Sequence, residues 1–318
     1  MLNGLFERHA LIVLGKGGVG TTTVAVALAR AAERSGLRVL AMECDSRAPM
    51  CRNFGVAHSL DPVQVSERLD VMVLDGRHAL EEYLQLVVPA RAVLRAVFAS
   101  RLYQFFVQAA PGLKELMMLG KILYESERAS DDPRHHDLIV VDAPASGQAL
   151  SILRMPEAAR GTFGDSVVGR EANNISRMLR DGRRCAAVVV STPEQLAVSE
   201  TLETCTSLRE MGINLGAVIL NRSVAPCFSP RDIASFAERA RSRRTRGAEH
   251  LASLARAELE RAAETARAFH TLAGRIHAPV AQLAEFHGLS GAELAQRLEV
   301  SLTEQPATGP ATQTERHL

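Results

Sequence analysis

Six short apolar runs mark the first 222 residues: 10–14 (ALIVL), 37–42 (LRVLAM), 69–74 (LDVMVL), 137–141 (DLIVV), 185–190 (CAAVVV) and 215–220 (LGAVIL). Their length and near-continuous apolar character predict strands buried on both faces. Between them the spacing turns helical. Residues 22–35 carry Val24, Ala25, Ala27, Leu28 and Ala31 on one side and stop at Gly36. A long apolar stretch, nearly free of glycine, predicts helices from about 78 to 128, and another helix is expected over 194–211. Strands alternating with helices predict an α/β fold, a parallel sheet covered by helices on both faces. Ligands of such sheets bind at the carboxyl ends of the strands.

The C-terminal third reads differently. Residues 230–275 are helical and rich in arginine, alanine and glutamate, the composition of a solvated helical pair, with an acidic partner as the other reading. Residues 303–318 (TEQPATGPATQTERHL) are polar and contain proline, and are expected to form a disordered tail. No internal repeat is evident.

Composition narrows the function. The chain has 318 residues, 47% of them apolar and 23% charged, with a net charge of +1. That balance speaks against a dedicated nucleic-acid binder. The five cysteines are widely spaced and form no C-x-x-C, as expected of reduced thiols rather than a disulfide framework or zinc site. No signal peptide and no apolar run of membrane-spanning length are read, so a cytoplasmic location is expected.

The chemistry sits after the first strand. Residues 15–23 read GKGGVGTTT. A glycine-rich turn between a strand and a helix start makes an anion site, because backbone N–H groups converge there and the helix dipole favours negative charge. The standard phosphate loop is G-x-x-x-x-G-K-[ST]. Gly15, Gly20 and Thr22 fit it, but Thr21 stands where the lysine belongs. Gly17 and Gly18 let the backbone wrap closely, Lys16 adds a cation, and Thr22 is placed to hold Mg²⁺ through its hydroxyl.

A lysine directly after the first glycine resembles the deviant P-loop class that includes MinD- and ParA-like proteins. Later motifs narrow the resemblance to the ArsA-like family of anion-transporting and tail-anchored-protein-targeting ATPases. ECDSRAP (43–49) resembles that family's D-P-A-H switch, without its Pro-Ala-His. DAPASGQAL (142–150) is similar to D-T-A-P-T-G-H-T-L, with Gln148 at the histidine position, and Met155-Pro156 matches its leucine-proline ending. APGLKE (110–115), TPEQLAVSET (192–201) and GAVILNR (216–222) follow in the family's order.

The resemblance implies a single P-loop NTPase domain over 1–302, with a helical insertion at about 76–130 and the arginine-rich helical segment at about 230–275. It implies ATP or ADP with Mg²⁺ as cofactors. Gly15, Lys16, Gly17, Gly18, Val19, Gly20, Thr21, Thr22 and Thr23 would cradle the phosphates, and Asn221 would read adenine. Thr22 and Asp142 would hold Mg²⁺, the latter through water. Asp45 would orient the attacking water. Lys16 would reach the phosphates of a partner subunit, either a second copy or an ArsA-like sibling, with a protein or membrane-associated client beyond.

Losing a transition-state cation of this kind slows phosphoryl transfer by roughly 10³–10⁵. Nucleotide binding is expected to suffer less, because the backbone amides and Thr22 remain. Lys114 and Lys121 are the other lysines considered as replacements. Met117 and Met118 are read as core positions rather than a client surface. Cys44, Cys51 and Cys227 do not form a recognisable thiolate site.

Overall fold

The structure, a computed structural model, describes residues 3–88, 90–109, 112–243, 246–289 and 291–304. A short helix α1 (Asn3–Phe6) precedes strand β1 (Ala10–Gly15), helix α2 (Thr21–Arg34), β2 (Val39–Glu43) and α3 (Pro49–Phe54). A hairpin of β3 (Val63–Ser66) and β4 (Leu69–Val73) leads into the helical insertion, α4 (Gly76–Val87), α5 (Arg91–Ala99), α6 (Arg101–Ala109) and α7 (Leu113–Ser126). Then come β5 (Leu138–Asp142), α8 (Ser146–Phe163), α9 (Val167–Arg180), β6 (Cys185–Ser191), α10 (Gln195–Glu210) and β7 (Leu215–Ser223). Helices α11 (Pro230–Arg243) and α12 (Arg246–Arg275), strand β8 (Val280–Ala284) and α13 (Gly291–Glu304) complete the described chain.

The strands form one sheet in the order β3-β4-β2-β5-β1-β6-β7-β8, parallel throughout except for β3, which runs antiparallel to β4. β1 lies between β5 and β6. The chain leaves β1 toward β2 on one side and later crosses from β5 to β6 on the other. That reversal opens a crevice at the carboxyl ends of the central strands.

Alternation along each strand sends side chains to opposite faces. Ala10, Ile12 and Leu14 join one core with Leu80, Leu116, Leu119, Ile152, Ile175, Leu208 and Leu272 from the insertion and the helices after it. Leu11 and Val13 join the other core with α2, with Met50 and Phe54 of α3, and with Leu298 and Leu302 of α13. The sheet is therefore covered on both sides, and the central strands need no polar face.

The expected α/β sheet covered on both faces is present, and the structure differs in detail. The sheet is not wholly parallel, because the VQVSERLDV stretch folds back as a hairpin whose outer strand is half-exposed and weakly apolar. Helices α8 and α9, strand β8 and helix α13 carry no apolar run as plain as the six that were read. Thr303 and Glu304 close α13 and do not begin a tail; residues 305–318 lie outside the described residues. The methionine reading holds: Met117 is buried and Met118 packs partly buried against the same core. Among the described residues no helix is long and apolar enough to cross a membrane.

Candidate functional site

The loop between β1 and α2 is shaped by two close approaches. A Cβ at Gly15 would lie 2.5 Å from the Val190 carbonyl oxygen of β6, so only glycine lets β1 end there. Gly20 has φ 92°, and a Cβ on it would lie 2.6 Å from the Asn221 side-chain amide. Gly20 caps α2 without a side-chain hydrogen bond, leaving the first amides of α2 for an anion. At Gly17 and Gly18 nothing stands within 4 Å of where a Cβ would be, so the hollow is open on that side. Val19 is buried and anchors the loop from beneath.

Asp142 ends β5, the neighbour of β1, and this adjacency joins residues 120 positions apart. The Thr22 hydroxyl donates to Asp142 Oδ2 at 2.6 Å. Oδ1 of the same carboxylate is buried with no hydrogen-bond partner. Burial holds the Asp142 carboxyl up at about 7; the Thr22 hydroxyl opposes the rise and the Glu43 and Asp45 carboxylates add to it. A buried carboxylate with one orphaned oxygen, beside a threonine hydroxyl, is a hard oxygen donor set that fits Mg²⁺, an ion that takes few protein ligands.

The switch segment after β2 is tied down at both ends. Cys44 N–H donates to the Asp142 carbonyl at 3.1 Å. The buried Glu43 carboxylate accepts from the amides of Met50 (2.7 Å) and Cys51 (3.0 Å) and so caps α3. Between these points the chain turns sharply, with Ala48 at φ 51°, in the left-handed region. Asp45 accepts from the Arg47 backbone amide (2.9 Å) and pairs with its guanidinium at 2.7 Å. That hydrogen bond holds the Asp45 carboxyl below its usual range, against the opposing effect of burial.

Two other residues singled out in the sequence are engaged with partners that the sequence did not announce. Lys16 Nζ lies 3.1 Å from Glu200 Oε1 on α10, both half-exposed. Asn221 lies inside β7, which runs on to Ser223, and not just beyond it. Its amide nitrogen donates to the Val19 carbonyl at 2.8 Å. The group that would donate to adenine is thus bonded to the loop. The lysines considered as replacements sit in the insertion. Lys121 pairs with Glu82 at 2.9 Å and Glu125 at 3.0 Å, almost buried, and is not free for the loop.

The cysteines stay apart from any such cluster. Burial pushes the Cys44 thiol far above its ordinary range and the Cys51 thiol up to about 12, which disfavours the thiolate in both. Among the described residues the one group of three possible metal donors is Asp61, His78 and Glu82, with His78 Nε2 3.9 Å from each carboxylate. Glu82 is already held there by Lys121.

The sequence missed Glu43, Glu200 and Arg47. Glu200 lay in the quoted TPEQLAVSET stretch, and a carboxylate facing the extra lysine could have been sought there. Glu43 gave no signal before its helix was in view.

The family described as anion-transporting ATPase matches residues 8–167 and 166–248 of this chain. The ATPase BagA of Mycobacterium tuberculosis is 30% identical over 234 residues, covering 71% of this chain and 68% of its own. Protein Rv2184c of the same species is 28% identical over 257 residues, 68% of this chain and 59% of its own. A protein of Aquifex aeolicus provisionally named arsenical pump-driving ATPase 1 is 21% identical over 272 residues, 72% of this chain and 67% of its own.

Proposed function

The chain belongs to the anion-transporting, ArsA-like ATPase family, and from that premise we propose that it binds Mg-ATP at residues 15–23 and uses nucleotide state to switch a dimer, with hydrolysis slow or dependent on a partner. The observation that carries this reading is the Thr22–Asp142 contact with its orphaned buried oxygen, set beneath a glycine loop that has lost its lysine. The amides at the start of α2 would hold the phosphates. Thr22 and Asp142 would hold the cation, which supplies charge neutralisation at the phosphates when bound. Asp45 would orient water once Arg47 releases it.

Thr21 is the weak point of such a site for turnover, since its hydroxyl carries no charge. Lys16 supports a two-subunit reading. In a nucleotide-sandwich dimer it would leave Glu200 and reach the neighbour's phosphates. A second reading, a non-hydrolysing subunit of a heterodimer with a competent sibling, is favoured by Thr21 and by the closed Asp45–Arg47 pair.

Steady-state Mg-ATP hydrolysis by the wild type and by Thr21→Lys tests this. A near-silent wild type and a lysine variant faster by about 10³-fold or more are expected. Vigorous turnover by the wild type would show that the site does not lack a cation. Absence of both turnover and Mg-ATP binding in the two proteins would refute the nucleotide reading.

A further inference from the structure

We propose that Arg47 of the switch segment supplies, for nucleotide binding and not for turnover, the phosphate-contacting cation that the loop lacks at Thr21. The inference rests on the nucleotide reading above and adds to it a residue that no motif assigns.

The argument starts from position. Thr22, at the start of α2, touches Asp142 at 2.6 Å. The Asp142 carbonyl receives the amide of Cys44 at 3.1 Å, which fixes the start of the switch against the strand that carries the cation site. One residue on, Asp45 holds the Arg47 guanidinium through Nε at 3.1 Å and through Nη2 at 2.7 Å. A short chain of contacts therefore runs from the loop helix to Asp45 and Arg47.

Charge and freedom point the same way. Lys121 is held by two carboxylates, and Lys16, paired with Glu200, is the residue read as reaching the neighbour's phosphates. The Arg47 side chain is 83% exposed, and among the described residues its guanidinium contacts Asp45. Its partner is the residue that must itself open if it is to orient water. One movement of the switch would then free both groups: Asp45 toward water and Arg47 toward the phosphates. A guanidinium presents a planar fork of donors that matches phosphate oxygens, and it stays charged at any working pH. Ala48, which follows, lies in the left-handed region and turns the chain into α3.

The test is a titration of Mg-ATP and Mg-ADP into the full chain, comparing wild type, Arg47→Ala, Arg47→Lys, Thr21→Lys and the double variant Thr21→Lys/Arg47→Ala. Arg47→Ala is expected to weaken Mg-ATP binding about ten- to a hundredfold, the loss of a charge-assisted hydrogen bond, and Mg-ADP binding less. Arg47→Lys should recover part of the loss. Thr21→Lys should improve the Arg47→Ala protein more than it improves the wild type, because the two cations do one job.

Unchanged Mg-ATP affinity in Arg47→Ala overturns the proposal. So does strict additivity of the two substitutions. A wild type that fails to bind while Thr21→Lys binds would sink Arg47 but leave the nucleotide site standing. Failure of every protein to bind at millimolar Mg-ATP would remove the underlying reading as well. Because Arg47 is so exposed, its removal is expected to leave the far-ultraviolet circular dichroism and melting temperature unchanged, and this is checked in the same samples.

Discussion

Asp142 shows how one residue can be costly for the fold while fitting a proposed cation site. Its carboxylate is 5% exposed, has one bonded oxygen and one orphan, and faces the carboxylates of Glu43 and Asp45. Burying a charge without a partner is unfavourable. Asp142→Asn is therefore expected to raise the melting temperature of the ligand-free protein at pH 7.5 or leave it unchanged. The same substitution should abolish the further rise that the nucleotide proposal expects with Mg-ATP. Thermal melts with and without Mg-ATP check this; a variant that melts lower without ligand yet keeps the Mg-ATP rise would contradict it. Asn221 illustrates the opposite case. Its identity was legible and its partner was not. Residue 221 bonds Val19 only because β7 and the loop meet at the same edge of the sheet.

At the scale of elements, the insertion is held together, and tied to the loop before β5, by charge as well as by its apolar face. Lys121 and Glu125 on α7 pair with each other at 3.0 Å. Lys121 also reaches Glu82 on α4, and Arg128 links Glu125 to Asp132 at 2.9 Å on each side. The Glu125 carboxyl lies below its ordinary 4.5: burial opposes its charge, and Arg128 and Lys121 more than offset that. For Asp132, the Arg134 amide and the Arg128 guanidinium bring the carboxyl down to about 2.

Groups with depressed folded values bind fewer protons than the unfolded chain, so stability rises with pH across their range. Their contribution is present above about pH 4.5 and fades as the pH falls below it, for Asp132 down through about 2. Glu125→Gln should lower stability by about 3 kcal/mol at pH 7, the low end for a broken buried pair. The difference from wild type should shrink at pH 3. Urea unfolding at the two pH values measures it; a gap equally wide at pH 3 would show that the network does not carry the effect.

At the scale of the whole molecule, the proposed dimer asks Lys16 to leave Glu200. A half-exposed ion pair is worth about 0–1 kcal/mol, so a phosphate arriving from a second subunit can displace it readily. The wild type is expected to sediment as a larger species with Mg-ATP than with Mg-ADP, and Lys16→Ala is expected to lose that difference. Analytical ultracentrifugation decides it. The same sedimentation shift in Lys16→Ala would remove the lysine from any role between subunits.

The sequence by itself determined the central strands, the glycine loop and the order of the motifs. Those signals are local: apolar runs long enough to be buried on both faces, and glycines where backbone must come close. It also marked Thr21 as a missing charge, since that is a matter of spacing alone. What it did not determine were partners. The Thr22–Asp142, Lys16–Glu200 and Asn221–Val19 contacts join positions 120, 184 and 202 residues apart. The antiparallel β3, the edge strand β8 and helix α13 were invisible for a related reason: weakly patterned segments take their structure from the elements they cover. Tertiary structure decided which of the quoted side chains meet, because the strand order β2-β5-β1-β6-β7 sets which strand ends are neighbours, and no local pattern encodes that order.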